Sequence, residues 1–243
     1  MHHFIYGVLP YLAVTIMVVG SAIRYDRDPF TWKSKSSQLL RKRSFIWGSV
    51  LFHVGVLVIF LGHFVGLLTP IAVFDALGIS HEAKQILAVV AGGIAGAMAL
   101  VGGLILLVRR FGDPRIRANS GFGDNLVIVM LVGQLILGLG SIVVTLSHLD
   151  GGEMVKFMAW AQGIAYFQPG AADHLVDVHW VFKAHILLGL AIFITFPFTR
   201  LVHMVSAPVR YLWRPGYQIV RSRKGAKAAP SGVGPLVDRA RGR

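Results

Sequence analysis

The chain has 243 residues, 55% of them hydrophobic and 14% charged, with a mean hydropathy of +0.65, a balance that a water-soluble domain of this length would find hard to hide. Cysteine is absent, which excludes disulfides, thiolate zinc sites, iron–sulfur clusters and covalently attached c-type haem. The 24 Lys and Arg against 11 Asp and Glu leave a net charge of +13, whose meaning depends on where the charges lie.

The opening MHHFIYGVLPYLAVTIMVVGSAIRY has no basic n-region and no clear small-residue cleavage site, so it reads as a retained helix and not as a signal peptide. Apolar runs of about 20 residues, the length that crosses the hydrocarbon core, then occur five times: Phe4 to Ile23, Phe45 to Leu68, Ile86 to Val108, Leu126 to Leu146, and Val181 to His203. The longest connection, Ser147 to Trp180, has room for a short amphipathic helix around Met154 to Tyr166. The fold class predicted is an all-α integral membrane protein of five transmembrane helices.

Seven of the 24 Lys and Arg fall between Arg24 and Arg43, four between Arg109 and Arg117, and ten from Arg200 to Arg243; Lys84, Lys156 and Lys183 are the remaining three. The positive-inside rule places those three segments in the cytoplasm, with the N-terminus outside and the C-terminus cytoplasmic. Topology, with attraction to anionic membrane lipid or an acidic partner, is sufficient explanation of the charge, and no nucleic acid is expected as a partner. Residues 1–224 read as the five-helix transmembrane domain, and residues 225–243, rich in Ala, Gly, Pro, Ser and Arg, as a basic disordered tail.

Four histidines stand inside the apolar runs, His53 and His63 in LFHVGVLVIFLGHFVGLLTP and His185 and His203 in FKAHILLGLAIFITFPFTRLVHM. An imidazole in lipid-facing sequence is costly unless something binds it. The second and fifth spans run antiparallel in this topology, so His53 pairs with His203 toward the cytoplasm and His63 with His185 toward the outer face. On one helix, 18 residues return to the same face, and 10 residues differ by about 80°. The axial separations of roughly 15 Å and 27 Å do not match, and tilt with a kink at Pro197 must absorb the difference. Two imidazoles at one depth suit the axial positions of a b-type haem, whose porphyrin supplies four nitrogens. Two layers predict two haem b groups, with the four histidines as iron ligands. Gly55, Gly62, Gly66 and Gly189 beside them would let a flat macrocycle approach. The other histidines, among them His2, His3, His81, His148, His174 and His179, read as terminal or interfacial.

These residues resemble the cytochrome b, or gamma, subunit of membrane-bound respiratory nitrate reductase. The likeness runs from GSAIRYDRDPFTWKSKSSQLL through LFHVGVLVIFLGHFVGLLTP, AKQILAVVAGG, DPRIRA and MVKFMAWAQGI to FKAHILLGLAIFITFPFTRLVHMVSAPVRYL, about Tyr11 to Val220. It implies two b haems, the inner on His53 and His203 and the outer on His63 and His185. It also implies a bacterial cytoplasmic membrane location and two cytoplasmic partners, an iron–sulfur beta subunit and a molybdenum alpha subunit. It further implies quinol oxidation at the outer face, with the family's quinol-site lysine falling on Lys84. Read without the resemblance, Lys84 is a helix-end lysine that snorkels to water. Two alternatives use the same histidines: the cytochrome b subunit of a sulfur-cycle or heterodisulfide-type complex, and a proton-coupled transporter whose histidines relay protons.

Overall fold

The computed structural model describes residues 1–32, 40, 42–147 and 149–206, which form helices and turns without a strand among them. The basic tail, the interior of the first arginine-rich loop and His148 lie outside the described residues. A π-helical turn over Phe4–Val8 leads into α1 (Leu9–Arg27), followed by α2 (Lys42–Leu68), α3 (Ile71–Ala76), α4 (His81–Gly112), α5 (Pro114–Ala118), α6 (Phe122–Thr145), α7 (Gly152–Ala165) and α8 (Trp180–Thr195). Five helical segments are long and apolar enough to cross a membrane, ending respectively in α1, α2, α4, α6 and just beyond α8. The expected amphipathic helix is α7, while α3 and α5 are short turns that the apolar pattern did not announce.

Local chemistry sets the starts of these helices. Ser80 Oγ accepts from Ala83 N at 3.1 Å to begin α4, and the Asp124 carboxylate accepts from Gly121 N at 3.1 Å to begin α6. Gly151 precedes α7 at φ 81°, and an added Cβ would stand 2.8 Å from that of His81, so both conformation and space require glycine there.

The long helices pack in the order α2, α4, α6, α8, with α1 against α8. The α2–α4 contact is backbone on backbone: a Cβ at Gly55 would sit 2.5 Å from Ala95 O and 2.7 Å from Ala99 N, and one at Gly102 would strike the backbone of Phe52. Small residues of this kind let helices approach where no hydrophobic effect drives them together. Gly55 is therefore spent on α4 and does not face a cofactor as expected; Gly62 and Gly66 have open space where a Cβ would be. Among the described residues, α2 and α8 do not pack as the other neighbours do.

At one end, α7 ties the bundle together. Trp160 Nε1 donates to Tyr6 O at 2.9 Å, and the Gln162 amide donates to Leu67 O and Thr69 O, each at 3.0 Å. The other end carries Arg24, Arg109, Arg110, Arg115, Arg117 and Arg200 at or just beyond the ends of α1, α4, α5 and α8.

The fifth span differs from expectation. Its α-helix stops at Thr195, giving way to a 3₁₀ turn over Phe196–Phe198, an extended Thr199 (φ −121°, ψ −177°) and a second 3₁₀ turn over Arg200–Met204. Proline removes a backbone donor and disfavours helix through its own turn, so Pro197 does more than kink the span. His203 leaves the helix that carries His185, and helix-face counting across the 18 residues does not apply.

Candidate functional site

The structure brings the four histidines together in two pairs along the gap between α2 and α8. The ring centroids of His53 and His203 are 6.4 Å apart with planes at 69°, and those of His63 and His185 are 6.1 Å apart at 34°. A ring nitrogen lies about 1.1 Å from its centroid and a metal–imidazole bond is about 2.0 Å long, so one metal held between two opposed rings separates the centroids by about 6 Å. The observed spacings fit. Among the described residues, no group of three or more His, Asp or Glu gathers as a metal site, and a two-ligand site suits a metal whose other ligands come from a macrocycle.

The protonation pattern fits as well. His53 Nδ1 donates to Ser49 O at 2.7 Å and His63 Nδ1 to Ile59 O at 2.9 Å, each one turn back on α2. His203 Nδ1 donates to Arg200 O across its 3₁₀ turn. A carbonyl can only accept, so the proton sits on Nδ1 and Nε2 keeps its lone pair, the arrangement that metal-binding imidazoles need. His185 is the exception. Its Nδ1 is buried without a hydrogen-bond partner, and the amide nitrogen of Gln134 on α6 lies 3.3 Å from its Nε2 and donates to its backbone oxygen at 3.1 Å.

Two charged groups hold His203 in place after the helix ends. Arg24 of α1 donates through Nη1 to Pro197 O at 2.7 Å and Thr199 O at 2.8 Å, carbonyls that the broken helix leaves without their usual amides, and through Nη2 to Thr31 O at 2.9 Å. Arg200 Nε donates to Asp124 Oδ1 at 2.9 Å, with both side chains largely shielded, at 19% and 6% exposure. The residue whose carbonyl accepts the His203 hydrogen bond is thus anchored to the start of α6.

Lys84 stands in the first turn of α4 and is only 6% exposed. It does not snorkel to water. Its ammonium contacts Met158 Sδ of α7 and lies 3.8 Å from the centroid of the Phe74 ring, and among the described residues no carboxylate pairs with it. A cation at the positive end of a helix, without a counter-ion, is a costly placement. Met158 and Gln162, one turn apart on α7, connect Lys84 to the residues that follow His63 on α2.

Four of the remaining histidines have local partners. His2 Nε2 lies 2.8 Å from Ala172 O, His3 is 3.7 Å from Asp173, His81 Nε2 is 3.2 Å from Asp75 Oδ1, and His179 Nδ1 accepts from Val181 N at the start of α8. Arg24, Asp124 and Gln134 were not foreseen as site residues. Gln134 had a visible signal, an amide alone in the run LVIVMLVGQLILGLG; the other two read as ordinary span-end charges.

The sequence is similar to curated proteins along most of its length. It is 44% identical to the respiratory nitrate reductase 1 gamma chain of Escherichia coli (strain K12), with 90% of this chain and 97% of that one aligned. It is 45% identical to the respiratory nitrate reductase 2 gamma chain of the same organism, with 91% and 97% aligned, and 37% identical to the nitrate reductase gamma chain of Bacillus subtilis (strain 168), with 90% and 97% aligned. The family model described as nitrate reductase gamma subunit matches residues 2–223. With three of its paired histidines on long apolar helices and the fourth on the turn after the last, the chain belongs to the nitrate reductase gamma subunit family.

Proposed function

We propose that this chain is the membrane-anchoring subunit of a respiratory nitrate reductase in the bacterial cytoplasmic membrane, with its N-terminus outside. His53 and His203 hold a b haem nearer the cytoplasm, and His63 and His185 hold one nearer the outer face. The observation that carries the reading is the two imidazole pairs at 6.4 Å and 6.1 Å, each with room for one metal between its rings. A b haem with two imidazole ligands supplies one-electron transfer and has no open coordination position.

The chain's own residues define the rest. Lys84 presents an ammonium at the end of the bundle nearest His63 and His185, where it donates a hydrogen bond to a quinone oxygen. The Phe74 ring and Met158 wall that ammonium off from water, which strengthens its hydrogen bond to the substrate. Quinol is oxidised there, and the arginine-rich end docks the iron–sulfur beta subunit and, with it, the molybdenum alpha subunit that reduces nitrate. The arginines favour that end as the cytoplasmic one by the positive-inside rule.

Purification in mild detergent, with haem quantification and identification of the co-purifying chains, tests the reading. Two haems per chain together with an iron–sulfur and a molybdenum protein are expected. Colourless protein would favour a proton-relaying transporter, and a different soluble partner would favour another redox complex.

A further inference from the structure

Gln134 lies in the middle of α6, in a span otherwise nearly devoid of polar side chains. The amide is half-buried there, its oxygen has no hydrogen-bond partner, and the contacts of its nitrogen are all on one residue. The amide nitrogen donates to His185 O at 3.1 Å, and it stands 3.3 Å from His185 Nε2, a contact that gives way when that nitrogen holds a metal. Two glycines make this possible. A Cβ at Gly189, one turn after His185, would come within 3.3 Å of the Gln134 nitrogen, and a Cβ at Gly138, one turn after Gln134, would come within 3.1 Å of His185 Cε1. Gly189, expected to admit a macrocycle, instead admits an amide.

We propose that α6 positions His185 for the metal held by His63 and His185, with Gly138 packed against its ring and Gln134 holding its backbone oxygen; this rests on the haem reading above. His53, His63 and His203 are oriented by carbonyls within one turn of their own segment, and a ring held that way is fixed by its own backbone. Among the four, His185 takes its orientation from a neighbouring helix.

The test is made on the detergent-solubilised complex, with haem content, a redox titration and the ferric electron paramagnetic resonance spectrum as readouts. Gln134→Leu removes the amide at similar volume, and Gly138→Ala pushes on the ring from the other side without touching a polar group. Both variants are expected to keep two haems per chain, and to move one redox wave and one low-spin resonance, the pair that His63 substitution abolishes. Gln134→Asn, which keeps an amide donor on a shorter side chain, should displace the resonance less than Gln134→Leu does. Unchanged waves and resonances in both variants overturn the proposal, as does an equal displacement of both haems, which would mean general loosening of the bundle. A parent complex without two b-type signals overturns the haem reading itself, and the parent spectrum separates that failure from the first.

Discussion

The two histidine layers share one helix and differ in how the second ring is supplied. In both, α2 contributes an imidazole whose Nδ1 is tied to a carbonyl one turn back. In the layer near Lys84 the partner ring, His185, rises from an intact α-helix and is steadied by an uncharged amide on α6. In the layer near the arginines the partner ring, His203, stands on a 3₁₀ turn beyond the end of α8, and ionic groups from α1 and α6 hold that turn. One layer is built from helix packing, the other from charge. The charged anchor sits where the chain leaves the bundle, where water can solvate what the protein does not pair.

Removing a ligand should break the comparison most completely. His63→Ala or His185→Ala is expected to abolish one b-type signal and leave the other, and His53→Ala or His203→Ala to do the reverse. Redox titration of membranes reads both outcomes. If His63 and His203 variants lost the same signal, the pairing across the α2–α8 gap would be wrong.

Next in size are the groups that hold His203. Asp124→Ala leaves Arg200 shielded and without this partner, at a cost of roughly 3–5 kcal/mol for a broken buried pair. Arg24→Gln removes charge-assisted bonds to Pro197 O and Thr199 O, each contributing about 1.5–3 kcal/mol. Both substitutions lie at the arginine-rich ends of their helices, away from His63 and His185, so the layer near the arginines should lose occupancy or stability first. Thermal loss of each haem signal, followed separately, measures it. Equal loss from both layers would show that the anchor serves the whole bundle and not its own ring.

A smaller and more selective effect is expected from Lys84→Ala. No histidine contacts change, so haem content and both redox waves should be retained, while quinol-driven reduction slows strongly. Stopped-flow reduction with a quinol analogue is the measurement, and parental rates would reduce Lys84 to a structural lysine. Lys84→Ala also removes a cation from the N-terminal turn of α4, where the helix dipole disfavours it. A rise in thermal stability together with a fall in rate would mark the residue as kept for chemistry at a structural cost.

Much of this was legible because membrane chemistry is restrictive. Five apolar runs have little choice but to become five helices, and four imidazoles in hydrocarbon have few uses. The fate of Pro197 was harder to read. A proline near a span end can kink a helix or terminate it, and the outcome here depends on Arg24, 173 positions away in sequence, supplying donors to the released carbonyls. Gly55 and Gly189 show the same limit: a glycine in an apolar run announces a close approach, but only the fold shows whether the visitor is Ala95, Gln134 or a cofactor. Read alone, Lys84 looks like a snorkelling lysine, because its shelter comes from Phe74 and Met158, on two other helices.

The smallest difference expected between the layers lies in the angle between their rings. In a low-spin ferric haem with two imidazole ligands, aligned ring planes split the iron orbitals that donate into the rings. Crossed planes leave those orbitals nearly equal in energy and the resonance more anisotropic. His53 and His203 cross at 69°, and His63 and His185 at 34°, so the layer near the arginines should give the resonance with the larger maximum g value. The single-ligand variants assign each resonance to its layer without reference to its shape, which keeps the comparison free of circularity. The reverse order would mean that haem binding reorients at least one ring from its position here. The ring to suspect first is His185, whose Nδ1 has no hydrogen-bond partner and whose orientation no carbonyl of its own helix fixes.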